Sequence, residues 1–442
     1  MKMFTTKKST YKQHHNENIS FYRHSTGFLN INNKLDNDLK VDICIVGGGL
    51  TGISTALNLA DKGYSIVVLE ANHIGSGASG RNGGQLGIGM RQDQFFLEKK
   101  FGLNEAKNFW KLGLESVKDV KDLIDKYSID CSLKPGIMHV GNTNRDYKYF
   151  LEEIDHMQKF YNYEGYKYFD KKNIKNEINS NLYYSGILTK DSYHLNPLKL
   201  LNGMTKETIK KGVKIFENTP VKKIKEENLS VKITTELNNI YAKKVVVCCN
   251  GYLDSLLGNV RKNFMPINNY VIATEPLGEK KAKELIKQNC AVVDSRFMID
   301  YYRFSEDWRL IFGGPETLTA NFVKNASSFV SKRMYKVFPQ IKDCKIDFSW
   351  GGTLAISVNR LPNFGTLMNK KLYFGHAYSG HGLALSVLGG KLISEKIEGY
   401  SERFDYFAKI NHFKIPGGDF LRRPIYSSAI IYYRFMDYIN QL

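Results

Sequence analysis

Residues 41–70, VDICIVGGGLTGISTALNLADKGYSIVVLE, decide the fold. An apolar, β-branched run passes into a glycine cluster over 43–47, an amphipathic segment covers 50–62, and 66–69 is apolar again. That order predicts strand, tight turn, helix, strand. The turn spells G-x-G-x-x-G with Gly47, Gly49 and Gly52, and each glycine has a steric reason. Gly47 permits the sharp exit from the strand, Gly49 lets a pyrophosphate approach the backbone, and Gly52 lets the helix lie close on the sheet. The phosphates belong at the helix N-terminus, on the turn that includes Leu50 and Thr51, because unpaired N–H groups and the positive end of the helix dipole favour an anion there. Glu70 closes the unit at the tip of the second strand. A carboxylate there can accept the hydroxyls of an adenosine ribose and disfavours a 2′-phosphate. The whole unit predicts a Rossmann-like dinucleotide-binding fold.

The chain of 442 residues is long enough for two or three folding units and a large core. Its 42% hydrophobic and 24% charged residues describe an ordinary globular protein. No segment offers the roughly 18 uninterrupted apolar residues of a membrane helix. The first twenty residues lack the apolar stretch and small-residue cleavage site of a secretory signal. Cys44, Cys131, Cys248, Cys249, Cys290 and Cys344 are scattered without any CxxC, which predicts buried thiols in the cytoplasm, no disulfides and no metal site. The net charge of +19 comes from 63 basic and 44 acidic residues. The lysines are dispersed as pairs such as Lys99-Lys100 and Lys280-Lys281, which predicts a solvated surface and no nucleic-acid partner.

Residues 1–40 are polar and weakly periodic, and predict an extended arm on the surface. After Glu70 the run ANHIGSGASGRNGGQLGIG (71–89) is crowded with glycine. Backbone held close to a ligand explains such a run, with Arg81 and Asn82 as its polar hands and Gly83 and Gly84 near the start of a further element. Helical spacing predicts helices over 94–127, 147–161, 198–211, 322–338 and 383–397, with Gly212 as a C-cap. Strands are predicted over 136–140, 213–216, 221–224, 229–235, 266–274, 291–294, 298–304, 310–313 and 372–375. Residues 244–249 form an unbroken apolar run ending at Asn250-Gly251. That is the signature of a parallel strand buried on both faces, with a ligand-facing C-terminal edge. The segment SSAIIYYRFMDYINQL (427–442) predicts a packed terminal helix.

The run VGGGLTGISTALNLADKG…VVLEANHIGSGASGRNGGQ, with NGYL at 250–253, INNYVIATEPL at 267–277, DYYRFSEDWRLIFGG at 300–314, WGGTLAISVNRLPNFG at 350–365 and YSGHGLALSVLGGKLISE at 378–395, closely resembles the gamma-glutamylputrescine oxidases. These are FAD enzymes of the D-amino-acid oxidase superfamily. The resemblance implies an α/β (α+β mixed) chain, a Rossmann-like FAD-binding domain interleaved with a substrate domain built on a mixed or antiparallel sheet. The expected FAD-binding segments are 41–130, 190–262 and 346–400, and the substrate segments 131–189 and 263–345, with an arm at 1–40 and an extension at 401–442. The implied cofactor contacts are Gly47, Gly49, Leu50, Thr51, Gly52, Glu70, Ala71, Ser79, Arg81, Asn82, Gly83, Gly84, Gln85, Val221, Asn250, Gly251, Gly380, His381, Gly382 and Leu383. Where relatives commonly read HLHPL, this chain has His194-Leu195-Asn196-Pro197-Leu198.

The implied reaction oxidises the C–N bond of gamma-glutamylputrescine or a related amine. Hydride passes to flavin N5, the imine hydrolyses to an aldehyde, and O2 is reduced to H2O2. An alternative keeps the fold and makes the protein an amino-acid or N-methyl-amine dehydrogenase that passes electrons to a quinone or carrier. Another makes it a basic FAD-containing module that binds RNA or protein. Negative charge develops near flavin N1 and C2=O, and the Ser379-Gly380-His381-Gly382 turn at a helix start is suited to stabilise it. His381 and Tyr302 are the catalytic candidates. A substrate carboxylate calls for a guanidinium, for which Arg303 stands first and Arg360 second, while Tyr301, Tyr270 and Trp350 are candidate walls around the amine. The superfamily also implies a buried lysine that assists O2, with no single lysine of this chain singled out. The partners expected are the amine and O2, without stable membrane insertion.

Overall fold

The computed structural model describes residues 19–31, 33–317, 322–415, 424 and 428. The unbroken apolar runs pair as parallel strands. Leu39–Val46 lies between Asn239–Val247 and Ile66–Leu69, with Lys214–Phe216 beyond the latter and Leu372–His376 beyond Asn239–Val247. Asn363–Leu367 is added antiparallel at one edge. Val231–Thr234 pairs with the first half of Asn239–Val247, and Lys223–Glu226 pairs with Val231–Thr234, completing eight strands. The inner strands are buried on both faces, as their sequence required.

A second, nine-stranded sheet runs in the order Ile346–Ser357, Phe264–Pro276, Arg309–Thr317, Tyr301–Phe304, Ala291–Asp294, Lys134–Gly141, Ser185–His194 and Gln85–Leu86, with Tyr166–Phe169 also paired to Ser185–His194. Its pairs are antiparallel except that of Ala291–Asp294 with Lys134–Gly141. The strands Ile346–Ser357 and the end of Ser185–His194 therefore belong to this sheet, although they fall within segments assigned above to the nucleotide domain.

Three helices matter most for the cavity: Phe21–Thr26 (α1), Leu50–Leu59 (α2) and Gly382–Glu398 (α3). The arm expected on the surface instead carries α1, whose Phe21 and Tyr22 are buried against Leu198, Val271, Ile311 and Trp350. Only two adjacent aromatics do this, too few to leave a periodic signal. The helix predicted over 94–127 is two, Gln94–Phe101 and Leu103–Tyr127, broken at Gly102 with φ +84. Asn196 caps Pro197–Lys210 by accepting from the amides of Leu198 and Lys199, which gives the departure from HLHPL a structural reason. Residues 427–442 lie outside the described residues except for Ser428. No described helix is long and apolar enough to cross a membrane.

Helices α2 and α3 cross in near contact. A Cβ on Gly390 would stand 2.5 Å from Ser54 Cβ and 2.6 Å from Thr51 O. Ser54 Oγ donates to Val387 O at 2.7 Å, and Thr51 Oγ1 shares a 2.8 Å hydrogen bond with Tyr378 OH. Gly390→Ala should therefore cost about 2–3 kcal/mol through overpacking, read as a lower melting temperature. An unchanged melt would show that the helices do not approach this closely.

Candidate functional site

The C-terminal edge of the eight-stranded sheet converges on Gly47. Its N–H donates to Leu69 O at 2.9 Å, and its left-handed backbone, φ +109, leaves a hypothetical Cβ 2.8 Å from Cys248 O. A Cβ on Gly52 would stand 2.0 Å from Gly47 O, so this glycine sets the closeness of helix and strand. Gly49 precedes α2, and Leu50 N–H donates to Ser79 Oγ at 3.0 Å. Glu70 accepts from Gly48 N–H at 2.8 Å and Asn72 N–H at 2.9 Å, while burial raises its pKa. It thus holds the turn in shape and retains lone pairs for a ribose. Ala71 follows it, and Val221, beyond the strand Lys214–Phe216, packs on the core under that sheet.

From this turn a cavity of about 440 Å³ extends to the second sheet. It is lined by Gly49, Leu50, Thr51, Ser79, Arg81, Asn82, Gly83, Gln85, Asn250, Gly380, Gly382 and Leu383 among the expected cofactor contacts. The glycine-rich loop is internally stapled: Asn82 Nδ2 donates to the carbonyls of Ala78 and Ser79, and its Oδ1 accepts from Gly84 N–H at 2.9 Å. Arg81 Nε donates to Gly351 O, and Gln85 Nε2 to Val292 O at 3.0 Å. Asn250 Oδ1 accepts from Ala377 N–H at 3.0 Å, and its own N–H donates to His376 Nδ1 at 3.1 Å. Gly251 abuts the carbonyls of Thr353 and Leu354.

Both α2 and α3 begin beside this cavity without a side-chain cap or an acidic residue in the first turn. Two positive helix ends therefore face one concavity. Among the described lining residues the cations are Arg81, Arg91 and Arg360, with no lysine. The lining fits a long dinucleotide whose anionic parts meet α2 and α3, because backbone amides, small residues and apolar side chains surround it.

Several expected side chains lie elsewhere. Along Tyr301–Phe304, Tyr301 faces the cavity and donates to Asn269 Oδ1. Tyr302 points to the opposite face, stacked on Phe312, and donates to Tyr183 OH at 2.9 Å. It cannot touch a substrate in this cavity, which corrects its catalytic assignment. Arg303 is 2% exposed and donates to Gly83 O at 2.8 Å, Phe304 O at 3.0 Å and Tyr22 OH at 3.0 Å. It fixes the glycine loop and α1 instead of a substrate carboxylate. Tyr270 is likewise core, hydrogen-bonded to Thr317 Oγ1 at 2.8 Å and Val323 N–H at 3.1 Å. Trp350 is 2% exposed and donates its indole N–H to Arg81 O at 2.9 Å, behind the loop. Strand parity explains Tyr270, since its neighbour Asn269 faces the cavity; Trp350 shares a strand face with Gly352 but is covered by Tyr22 of α1 and the Arg81 backbone.

His381 stands at the start of α3, its Nε2 3.1 Å from Ile88 O. A carbonyl partner requires Nε2 to carry the proton, so Nδ1 holds the lone pair. Burial, and then Arg91, lower its pKa to about 4, which keeps it neutral at pH 7. Gly84, at φ +75, leaves no room for a side chain beside Arg303. Sequence reasoning missed Arg91, Asn269 and Phe297, which line the cavity. Arg360, the second carboxylate candidate, does line the cavity, its guanidinium 4.4 Å from the Phe297 ring centroid.

A family model described as FAD dependent oxidoreductase (DAO) matches residues 42–396. The chain is similar to the gamma-glutamylputrescine oxidoreductase of Escherichia coli (strain K12), 35% identical over 91% of this chain and 94% of that protein. It is also similar to the probable oxidoreductase OrdL of Haemophilus influenzae, 33% identical over 90% of this chain and 92% of the relative. The crystal structure of glycine oxidase from Geobacillus kaustophilus is similar in fold, with a TM-score of 0.71 at 18% identity, covering 82% of this chain and 95% of that one.

Arg303→Leu should strand buried partners at Gly83, Phe304 and Tyr22 and cost about 2–4 kcal/mol. A thermal melt that falls equally with and without substrate checks this; an unchanged melt with weaker substrate binding would restore the carboxylate role. His376 gives a pH test. Its fully buried ring accepts a backbone N–H, and burial lowers its pKa to about 3. It is neutral when folded but protonates below about 6.5 when unfolded. Its contribution is complete above that pH and is lost as pH falls toward 3. Between pH 6.5 and 5 it should remove about 2 kcal/mol, and a His376→Asn variant should lose correspondingly less over that interval.

Proposed function

The chain belongs to the DAO family of FAD dependent oxidoreductases, and from that premise we propose that it is an amine oxidase acting on gamma-glutamylputrescine or a near relative. The observation that carries this reading is the single cavity that joins the nucleotide turn and the start of α3 to a wall bearing Tyr301, Asn269 and Arg360. The name of the Escherichia coli relative supports the substrate. Bound FAD supplies the electron acceptor that oxidises the carbon of the C–N bond, with O2 as the final oxidant.

The chain's own residues bind, orient and exclude water. Gly49 to Thr51, Ser79 and the stapled loop through Gln85 hold the cofactor side, and Glu70 takes the ribose. Amides at the start of α3 stabilise negative charge nearby. The apolar floor of Met265, Ile267, Leu354 and Ile356 keeps the reacting carbon dry. The amine must shed its ammonium proton to solvent before its nitrogen can feed electrons into the C–N bond, and His381, held neutral at the start of α3, adds no competing positive charge there. The resulting imine takes up water to give an aldehyde and release ammonia. The six unpaired thiols support a cytoplasmic setting.

Anaerobic mixing with gamma-glutamylputrescine should bleach the oxidised flavin band, and admission of air should restore it with formation of peroxide. Putrescine, sarcosine, glycine and D-amino acids serve as comparators. Bleaching by one of these alone moves the substrate, and bleaching without rapid reoxidation in air identifies a dehydrogenase.

A further inference from the structure

Arg91 lines the cavity, and among the described residues no hydrogen bond or ion pair reaches its guanidinium. A charge withdrawn from water without a bonded partner is costly. Burial accordingly lowers its pKa to about 10, and the like charge of Arg360 adds to this, while Glu316 and Asp93 act in the opposite sense from a distance. Asp93 is otherwise engaged, accepting from Phe96 N–H at 2.7 Å and Tyr149 OH at 2.8 Å.

The loop that carries the second guanidinium is fixed by its backbone. Arg360 adopts left-handed backbone, φ +58, and its N–H donates to Ser357 O at 3.0 Å, while Ser357 Oγ donates to Leu361 O at 2.7 Å. Such a conformation in a non-glycine residue persists only where its surroundings enforce it, and it concentrates at functional sites. Gln92 Nε2 donates to Asn359 O at 3.1 Å and so ties the Arg91 loop to the Arg360 loop. Two cations on one wall repel each other, and an anion between them would relieve both the repulsion and the unpaired burial.

We propose that Arg91, acting with Arg360, seats a carboxylate at the end of the substrate remote from the oxidised carbon. A gamma-glutamyl amine presents such a group, and guanidinium forks match it geometrically. Glu316, on the same wall, favours a head group that carries an ammonium beside its carboxylate and disfavours a phosphate dianion. The identity of the substrate rests on the oxidase reading above; the anion seat does not.

The test uses the FAD-loaded full chain and N-butyl-γ-glutamine, which keeps the α-carboxylate and α-ammonium but lacks the terminal amine that is oxidised. Binding is followed by calorimetry and by perturbation of the flavin spectrum. Arg91→Gln should weaken it by about 30-fold or more, as expected for losing hydrogen bonds to a charged group. Arg360→Gln should also weaken it, and Arg91→Lys should recover only part of the loss. FAD content and melting temperature identify any variant that has not folded, in which case Arg91→Lys and Arg360→Gln carry the test. Failure of the wild type to bind the probe, or equal binding by the folded variants, overturns the seat. If the probe binds through Arg91 while gamma-glutamylputrescine is not oxidised, the seat stands and the substrate reading fails. If gamma-glutamylputrescine is oxidised while the variants bind the probe normally, the reverse holds.

Discussion

The approach of α2 to α3 at Gly390 is the constraint on which the rest of the structure depends. Without a side chain there, Thr51 and Ser54 come within contact of the second helix, and the Thr51–Tyr378 hydrogen bond fixes the register. Two helix starts distant in sequence therefore open on one cavity, each without an acidic residue in its first turn or a cap from its own N-cap side chain. The unpaired positive ends are useful only in company, because one dinucleotide carries negative charge at both its pyrophosphate and its reduced ring.

The second sheet acts largely by holding loops in place. Arg303 and Trp350 grip the glycine loop from behind through Gly83 O and Arg81 O. A buried ion cluster does the same for residues 295–300. Arg296 bonds Asp294 and Asp300, and Arg333 bonds Asp300. Burial pushes the Asp294 carboxyl up even beside Arg296. Such a cluster contributes little net stability after desolvation. Its effect here is positional, since Phe297 and Ile299 in the loop it spans line the cavity and Phe297 underlies Arg360.

The nucleotide half was legible because its constraints are local. Gly47, Gly49 and Gly52 answer to steric demands within one turn, and the unbroken apolar strand ending at Asn250-Gly251 announces its own burial. The substrate half depends on strand parity, which a one-residue shift reverses. Tyr301 and Tyr302 are neighbours of the same type, yet one lines the cavity and the other lies in the core. Arg303 failed as a substrate ligand for a nonlocal reason: Tyr22, far away in the chain, takes one of its donors. Arg91 was hidden among 63 basic residues. Its only signal was its place directly after the glycine-rich run, where the chain continues along the wall of the same cavity.

Helix α1 has a consequence for biosynthesis. Phe21 and Tyr22 leave the ribosome early, but the surfaces that bury them, Val271, Ile311 and Trp350, are made some 250 to 330 positions later. At about 5–20 residues per second this leaves an apolar aromatic pair unprotected for roughly 15–65 s. The N-terminal segment is thus among the last parts able to dock, closing over a nucleotide unit whose own central strands were completed well before. A nascent chain stalled short of Trp350 would carry that pair as a binding site for chaperones or for other unfinished chains.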